Sequence, residues 1–303
     1  MLQTIFPDQK ERMPLIGASL VLFPLMALVL VMINSFGQSL TSVTASLFFA
    51  TAILLAGIPH GSLDIEILAR HFGRGGAFAK AKLTIAYATC ALLMALIWLY
   101  APPIALTAFL IISILHFGLD WRDNAEPFLG MTVGWALVAL PALSHARDVT
   151  AIFNTLVGVE YGATLCALLA CSSVPAALVA IAFCRDAYAR GNRKAAVHVA
   201  TCLFAAVFLP PLASFALFFC GLHSPRHFAE ALAQSGPMSR IKKAAIIIAV
   251  VGLSLGLAAW IFAQGQTLGM SDAAVRATFM LLSILTLPHF ILEQILTRSS
   301  ASA

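Results

Sequence analysis

Five histidines of this chain sit inside or at the edge of apolar stretches: His60, His116, His223, His227 and His289. Four of them have a polar residue four positions on. Asp64 follows His60, Asp120 follows His116, Glu293 follows His289, and His227 itself follows His223. On a helix, residues four apart share a face. The spacing therefore predicts helices that each present an imidazole with a carboxylate, and one that presents two imidazoles. Neutral imidazoles brought to one point make a site for a borderline transition metal such as iron, zinc or copper. A ligating histidine usually donates its other N–H to a carboxylate or carbonyl. Asp64, Asp120 and Glu293 are the candidates for that role, with helix-end capping or headgroup contact as their alternative use. The ordinary reading of one such histidine is a helix–helix hydrogen bond. Five that share a spacing and a depth favour a site.

The background explains why these residues stand out. Of 303 residues, 61% are hydrophobic and 10% charged, and the mean hydropathy is +0.95. Soluble domains carry roughly 25% charged residues. So little charge could not cover a soluble surface. It excludes a cytosolic globule, a disordered chain and a nucleic-acid binder, and it predicts an all-α, polytopic transmembrane helix bundle in one domain, residues 1–303. The net charge of +5 then belongs to loops that orient spans, not to a nucleic-acid surface. The six cysteines lie in apolar stretches without a CxxC pair and read as small buried hydrophobes.

A span needs about 20 apolar residues. Ten stretches qualify: 14–36, 43–68, 83–100, 103–121, 128–144, 162–184, 195–211, 212–233, 244–263 and 274–296. The first, preceded by Lys10 and Arg12, is too long for a signal-peptide core and reads as a span. Basic loops around Arg70, Arg74, Lys80 and Lys82, around Arg185 to Lys194, and at Arg240 to Lys243 should be cytoplasmic. About ten helices satisfy this, with both termini cytoplasmic and 149–161 lying at the interface. A count of eight or nine meets the same hydropathy. In the ten-helix topology the five histidines fall on the second, fourth, eighth and tenth helices, all running inward. Three of these place them in the cytoplasmic half and one near the middle. His71, His145 and His198 read instead as interfacial.

Pro59, Pro225 and Pro288 adjoin these histidines, and Gly57, Gly61, Gly118 and Gly221 flank three of the four sites. Proline frees a backbone carbonyl, and small residues let helices or a bulky ligand come close. The chain has 21 phenylalanines against 4 tyrosines and 4 tryptophans. Phe117, Phe215, Phe218, Phe219, Phe228 and Phe290 lie close in sequence to the histidines, as a wall for an apolar substrate would, and Phe117, Phe219, Phe228 and Phe290 are the candidates for a tunnel. No lysine falls at a span centre, which excludes a retinal Schiff base, and there is no P-loop.

The segments Pro59-His60-Gly61-Ser62-Leu63-Asp64, His116-Phe117-Gly118-Leu119-Asp120-Trp121, His223-Ser224-Pro225-Arg226-His227 and Pro288-His289-Phe290 together resemble the Brp/Blh family of membrane β-carotene 15,15′-dioxygenases. The resemblance covers most of the chain from the second helix onward. It implies a multi-pass protein of the inner cell membrane. It implies a non-haem Fe(II) enzyme that cleaves β-carotene with O₂ at the central double bond, giving two all-trans-retinal. It implies contact with membrane lipid and handover of retinal to a rhodopsin. The family's iron-binding histidines carry over to His60, His116, His223 and His227. His289 matches a further motif, as a fifth ligand or a support for one. From the residues alone, two rival classes stay open. One is a histidine-rich hydroxylase or desaturase, against which the absence of an HH dipeptide weighs. The other is a proton- or metal-coupled transporter. A bis-histidine haem protein is a weaker third.

Overall fold

The computed structural model describes residues 9–301 apart from 38, 74 and 75, with side chains from 19 to 296 apart from those three and 127. Arg74 and the side chains of Lys10 and Arg12 lie outside this description. Thirteen α-helices follow one another, and no strand occurs among the described residues. They are α1 (Gln9–Ser35), α2 (Val43–Gly61), α3 (Asp64–His71), α4 (Ala77–Tyr100), α5 (Pro102–Leu119), α6 (Pro127–Ser144) and α7 (Ala146–Val157). After these come α8 (Val159–Ala189), α9 (Arg193–Phe208), α10 (Pro211–Phe218), α11 (Ser224–Gln234), α12 (Arg240–Gln264) and α13 (Met270–Ala301).

Among the described residues, six segments are long and apolar enough to cross a bilayer: α2 with α3, then α4, α5, α8, α12 and α13. A seventh arises if α6 and α7 count as one span, although they meet at 106°. The other segments of the ten-span reading are helical as expected but short or broken. Helix α9 has 16 residues. The described apolar part of α1 covers only Ser19–Ser35. Between α10 and α11 the chain makes a π-helical turn over Phe219–His223. The 149–161 stretch, expected at an interface, is largely helix α7, set across the end of α6.

Local chemistry sets these breaks. Helix α2 is capped at its start by Ser42, whose hydroxyl accepts from the Ala45 amide at 3.2 Å. It stops just after Pro59, where Ser62 returns its amide and its hydroxyl to the Pro59 carbonyl at 3.2 and 2.6 Å. Asp64 thereby begins a new helix instead of continuing the face of His60. Prolines also open α5, α6 and α10, where a missing amide proton costs nothing.

Helices α2, α5 and α13 are the more buried of the long apolar helices, while α4 and α12 expose most of their surface. On these outer helices Ile85, Leu99, Ile248 and Leu253 are exposed, as lipid-facing residues would be. Helices α5 and α6 touch backbone to backbone. A Cβ on Gly134 would lie 2.1 Å from the Ile114 carbonyl oxygen, and one on Gly118 would lie 2.7 Å from that of Met131. Small residues permit this approach. Gly134→Val should force the pair apart at an overpacking cost of about 1–3 kcal/mol. Thermal denaturation in detergent should show a lowered midpoint. An unchanged midpoint would mean the contact is not as close as described.

His198 corrects one expectation. It is buried, with its Nε2 3.3 Å from the Ser19 carbonyl and its ring edge-on to Phe23, so it fastens α1 to α9 instead of facing an interface.

Candidate metal centre

The five span histidines meet at one place. His60 comes from the end of α2, His116 from the last turn of α5, His223 from the end of the π-helical turn, His227 from α11 and His289 from α13. Four rings form a closed cycle. Consecutive centroids lie 5.5 Å apart for His60 and His223, and 4.8 Å for His223 and His116. For His116 and His289 the separation is 5.4 Å, and for His289 and His60 it is 5.0 Å. Each contact is edge-on. One ring nitrogen from each of His60, His116 and His289 falls within 4.8 Å of the others. The Nε2 atoms of His116 and His223 are 3.2 Å apart.

The carboxylates surround this cycle, but not in the pairs that the sequence spacing predicts. Asp64 accepts from His289 Nδ1 at 2.8 Å and from the Tyr87 hydroxyl at 2.7 Å through the same oxygen. Asp120 holds His223 Nδ1 at 2.8 Å and His227 Nε2 at 2.7 Å, one with each oxygen. Glu293 Oε2 holds His116 Nδ1 at 2.6 Å, and its Oε1 lies 3.4 Å from His227 Nδ1 and 4.0 Å from His289 Nε2. The carboxylates do orient imidazoles, but each reaches across to another helix. Helix α2 stops before Asp64 and α5 stops at Leu119, whereas Glu293 reaches across from the unbroken α13 that it shares with His289.

Three participants went unread in the sequence. Ser224 accepts from His60 Nδ1 at 3.1 Å and passes its own proton to the Ala56 carbonyl. Tyr87 supports Asp64, and Arg226 Nη1 donates to the Asp120 carbonyl at 2.8 Å, fixing the turn that carries Asp120. Ser224 stood within a quoted motif. Tyr87, one of 4 tyrosines and placed in an apolar span, was a signal of the same kind as the histidines.

The donor set can be tested against a metal ion. An ionised carboxylate only accepts, so the Nδ1 atoms of His116, His223 and His289 carry the proton. The single hydroxyl proton of Ser224 is used on Ala56, so His60 Nδ1 is also a donor. All four rings are thus left with Nε2 lone pairs. Two of these face each other at 3.2 Å between His116 and His223, and His289 Nε2 is buried without a hydrogen-bond partner. Lone pairs so placed repel unless a cation lies between them. Nitrogens bonded to one first-row divalent ion at ~2.1 Å are about 3.0–3.4 Å apart in octahedral or tetrahedral arrangements. The residues fit. Imidazoles alone leave an ion its full charge, and the three carboxylates behind them offset it, as burial requires.

Beside the centre lies an apolar chamber of about 360 Å³. His60, His116, His223 and His289 form part of its wall, with Gly57, Phe109, Phe117, Phe215 and Phe219. Of the four phenylalanines expected at a tunnel, Phe117 and Phe219 line it. Phe290 instead lies edge-on to His116 at 6.2 Å, and Phe228 does not line the chamber. Phe215, also named from the sequence as near the histidines, and Phe109, which was not, line it as well. Phe215 packs on Phe117 and Phe219, and those two pack on His223, which fixes that ring from the chamber side.

A family model described as beta-carotene 15,15'-dioxygenase matches residues 51–297. The chain belongs to that family. The match opens within α2, ahead of His60, and closes within α13, beyond Glu293, so it includes every residue of the centre. A relative named beta-carotene 15,15'-dioxygenase, from the uncultured marine bacterium 66A03, is 30% identical over 265 residues. The alignment spans 82% of this chain and 93% of the relative. No solved structure matches. The four-motif resemblance read from the sequence is therefore shown as family membership, and the chain is an enzyme of the beta-carotene 15,15'-dioxygenase family.

Proposed function

We propose that the chain cleaves β-carotene with O₂ at the 15,15′ double bond at an iron(II) ion held by the clustered imidazoles. One C=C bond is replaced by two C=O bonds, so one carotene and one O₂ give two retinal molecules with nothing left over. The observation that carries this is a cluster of imidazoles on the wall of an apolar chamber, with ring nitrogens of His60, His116 and His289 within 4.8 Å of one another and the Nε2 atoms of His116 and His223 3.2 Å apart. Bound there, ferrous iron would supply activation of dioxygen, which side chains of this chain cannot supply by themselves. His60, His116 and His223 hold the ion with a fourth imidazole. Asp64, Asp120 and Glu293 fix ring orientation and offset charge.

The chamber wall does the rest. Phe109, Phe117, Phe215 and Phe219 offer an apolar lining to a polyene, exclude water and align one double bond beside the histidines. The lipid-facing helices α4 and α12 also contribute to the lining, so an apolar substrate and product can exchange with the bilayer. We place the protein in the inner cell membrane with about ten membrane-embedded helices and both termini cytoplasmic. The basic loops then share one side.

The test is chromatographic. Cells that make β-carotene and express this chain should accumulate retinal as carotene falls. Undiminished carotene and no retinal, with the protein present in the membrane, would sink the reading. Gly57 gives a finer check. A Cβ there would come 2.8 Å from Phe219 Cε1 and push that ring into the chamber. Gly57→Val should slow carotene cleavage by at least about tenfold, as a misplaced substrate does. Its iron content should stay that of the unsubstituted protein. Unchanged turnover would place the polyene elsewhere.

A further inference from the structure

We infer that the fourth imidazole on the metal is His289, and that His227, which the family resemblance puts among the ligands, is a positioning residue that locks Asp120. This rests on the metal reading above and deepens it.

The argument begins with which nitrogen each ring has free. His60, His116, His223 and His289 all commit Nδ1 to an acceptor, namely Ser224, Glu293, Asp120 and Asp64. All four therefore keep Nε2. His227 is wired the other way. Its Nε2 is bound to Asp120 Oδ1 at 2.7 Å, and its Nδ1 faces Glu293 Oε1 at 3.4 Å. Both nitrogens point at carboxylates. Ring positions agree. Each of the four lies within 5.5 Å of two others in the cycle. His227 comes that close only to His223, at 4.4 Å, and stands 5.6, 6.0 and 6.3 Å from His116, His60 and His289. His289 Nε2, in contrast, is buried with no hydrogen-bond partner among the described residues, its nearest carboxylate oxygen being 4.0 Å away. A buried, unpaired imidazole nitrogen is costly unless something binds it.

The spacing of His223 and His227 hides this difference. Four residues apart, they share a face only on a regular helix. Here His223 ends a π-helical turn and His227 sits in the first turns of α11. The two rings reach Asp120 through different nitrogens, one from each side of the carboxylate. His227 and the Arg226 guanidinium, which donates to the Asp120 carbonyl, then hold Asp120 so that it can orient His223.

The experiment uses the full-length protein in detergent, with glutamine at either position. Glutamine keeps an N–H that can replace His227 in its bond to Asp120. It cannot replace an imidazole lone pair at His289. Each variant is loaded anaerobically with Fe(II), and iron per chain is measured after gel filtration. The electron paramagnetic resonance spectrum of the Fe(II)–nitric oxide adduct is then recorded. His227→Gln should retain full iron stoichiometry and an unchanged nitrosyl spectrum, with affinity reduced by no more than about tenfold, the low end for a residue behind a ligand. His289→Gln should lose about 100-fold or more in iron affinity, and any residual nitrosyl signal should shift. A His227→Gln variant that loses as much iron as His289→Gln overturns the assignment. An unsubstituted protein that takes up no iron overturns the metal reading itself, and so separates the two failures. Monodisperse elution of both variants keeps misfolding apart from ligand loss.

Discussion

Replacing His116 by alanine is expected to abolish iron binding and retinal formation together, while the protein still enters the membrane and elutes as the folded species. His116 is one of the four rings of the cycle. It lies between His223 and His289 in the cycle, its Nε2 is 3.2 Å from that of His223, and Glu293 holds its Nδ1 at 2.6 Å. Removing it opens the cycle and leaves a buried carboxylate oxygen without its donor. The expected result is iron below one tenth of the unsubstituted stoichiometry, which at a nearly filled site corresponds to a loss of affinity of about 100-fold or more. The checking measurement is elemental analysis of purified protein, paired with retinal quantification in carotene-producing cells. Full iron content with full activity would remove His116 from the centre.

Asp120→Ala is the second large effect, and it comes from a residue that touches no metal. Asp120 bonds His223 with one oxygen and His227 with the other, at 2.8 and 2.7 Å. Its loss frees two rings at once. Losing a carboxylate behind one ligand typically costs 10–100-fold in metal affinity or activity. Asp120 supports two rings, so the upper end, about 100-fold, is expected. Asp120→Asn keeps one acceptor oxygen and should recover part of the loss. Iron titrations of the two variants, together with initial rates at saturating iron, separate weakened binding from misaligned chemistry. Equal iron affinity in Asp120→Ala and the unsubstituted protein would show that His223 is positioned by something else.

How much of this was legible in the sequence follows from which spacing rule survived folding. The all-helical class came from scarce charge, and each predicted span is helical. His60, His116, His223, His227 and His289 stood out because imidazoles are expensive in an apolar segment, and they do converge. The pairing of histidine with carboxylate was read from a regular helix, and that is where it went astray. Asp64, Asp120 and Glu293 each bond histidines of other helices, and Glu293 does so from the unbroken α13 that it shares with His289. The π-helical turn at Phe219–His223 likewise has no spacing signature, yet it sets the different wiring of His223 and His227. The chamber was half legible. Phe117 and Phe219 were named by adjacency to histidines. Phe109 lies seven residues before His116, about two helical turns, which adjacency cannot show.

The central claim is that these imidazoles hold the iron that cleaves carotene at its centre. It is tested most directly with purified protein, stripped of metal and then given Fe(II), β-carotene in detergent and air. The account predicts two retinal molecules formed per β-carotene consumed, with the rate restored by Fe(II) and absent without it. Turnover that persists after complete metal removal, or products other than retinal, would contradict it.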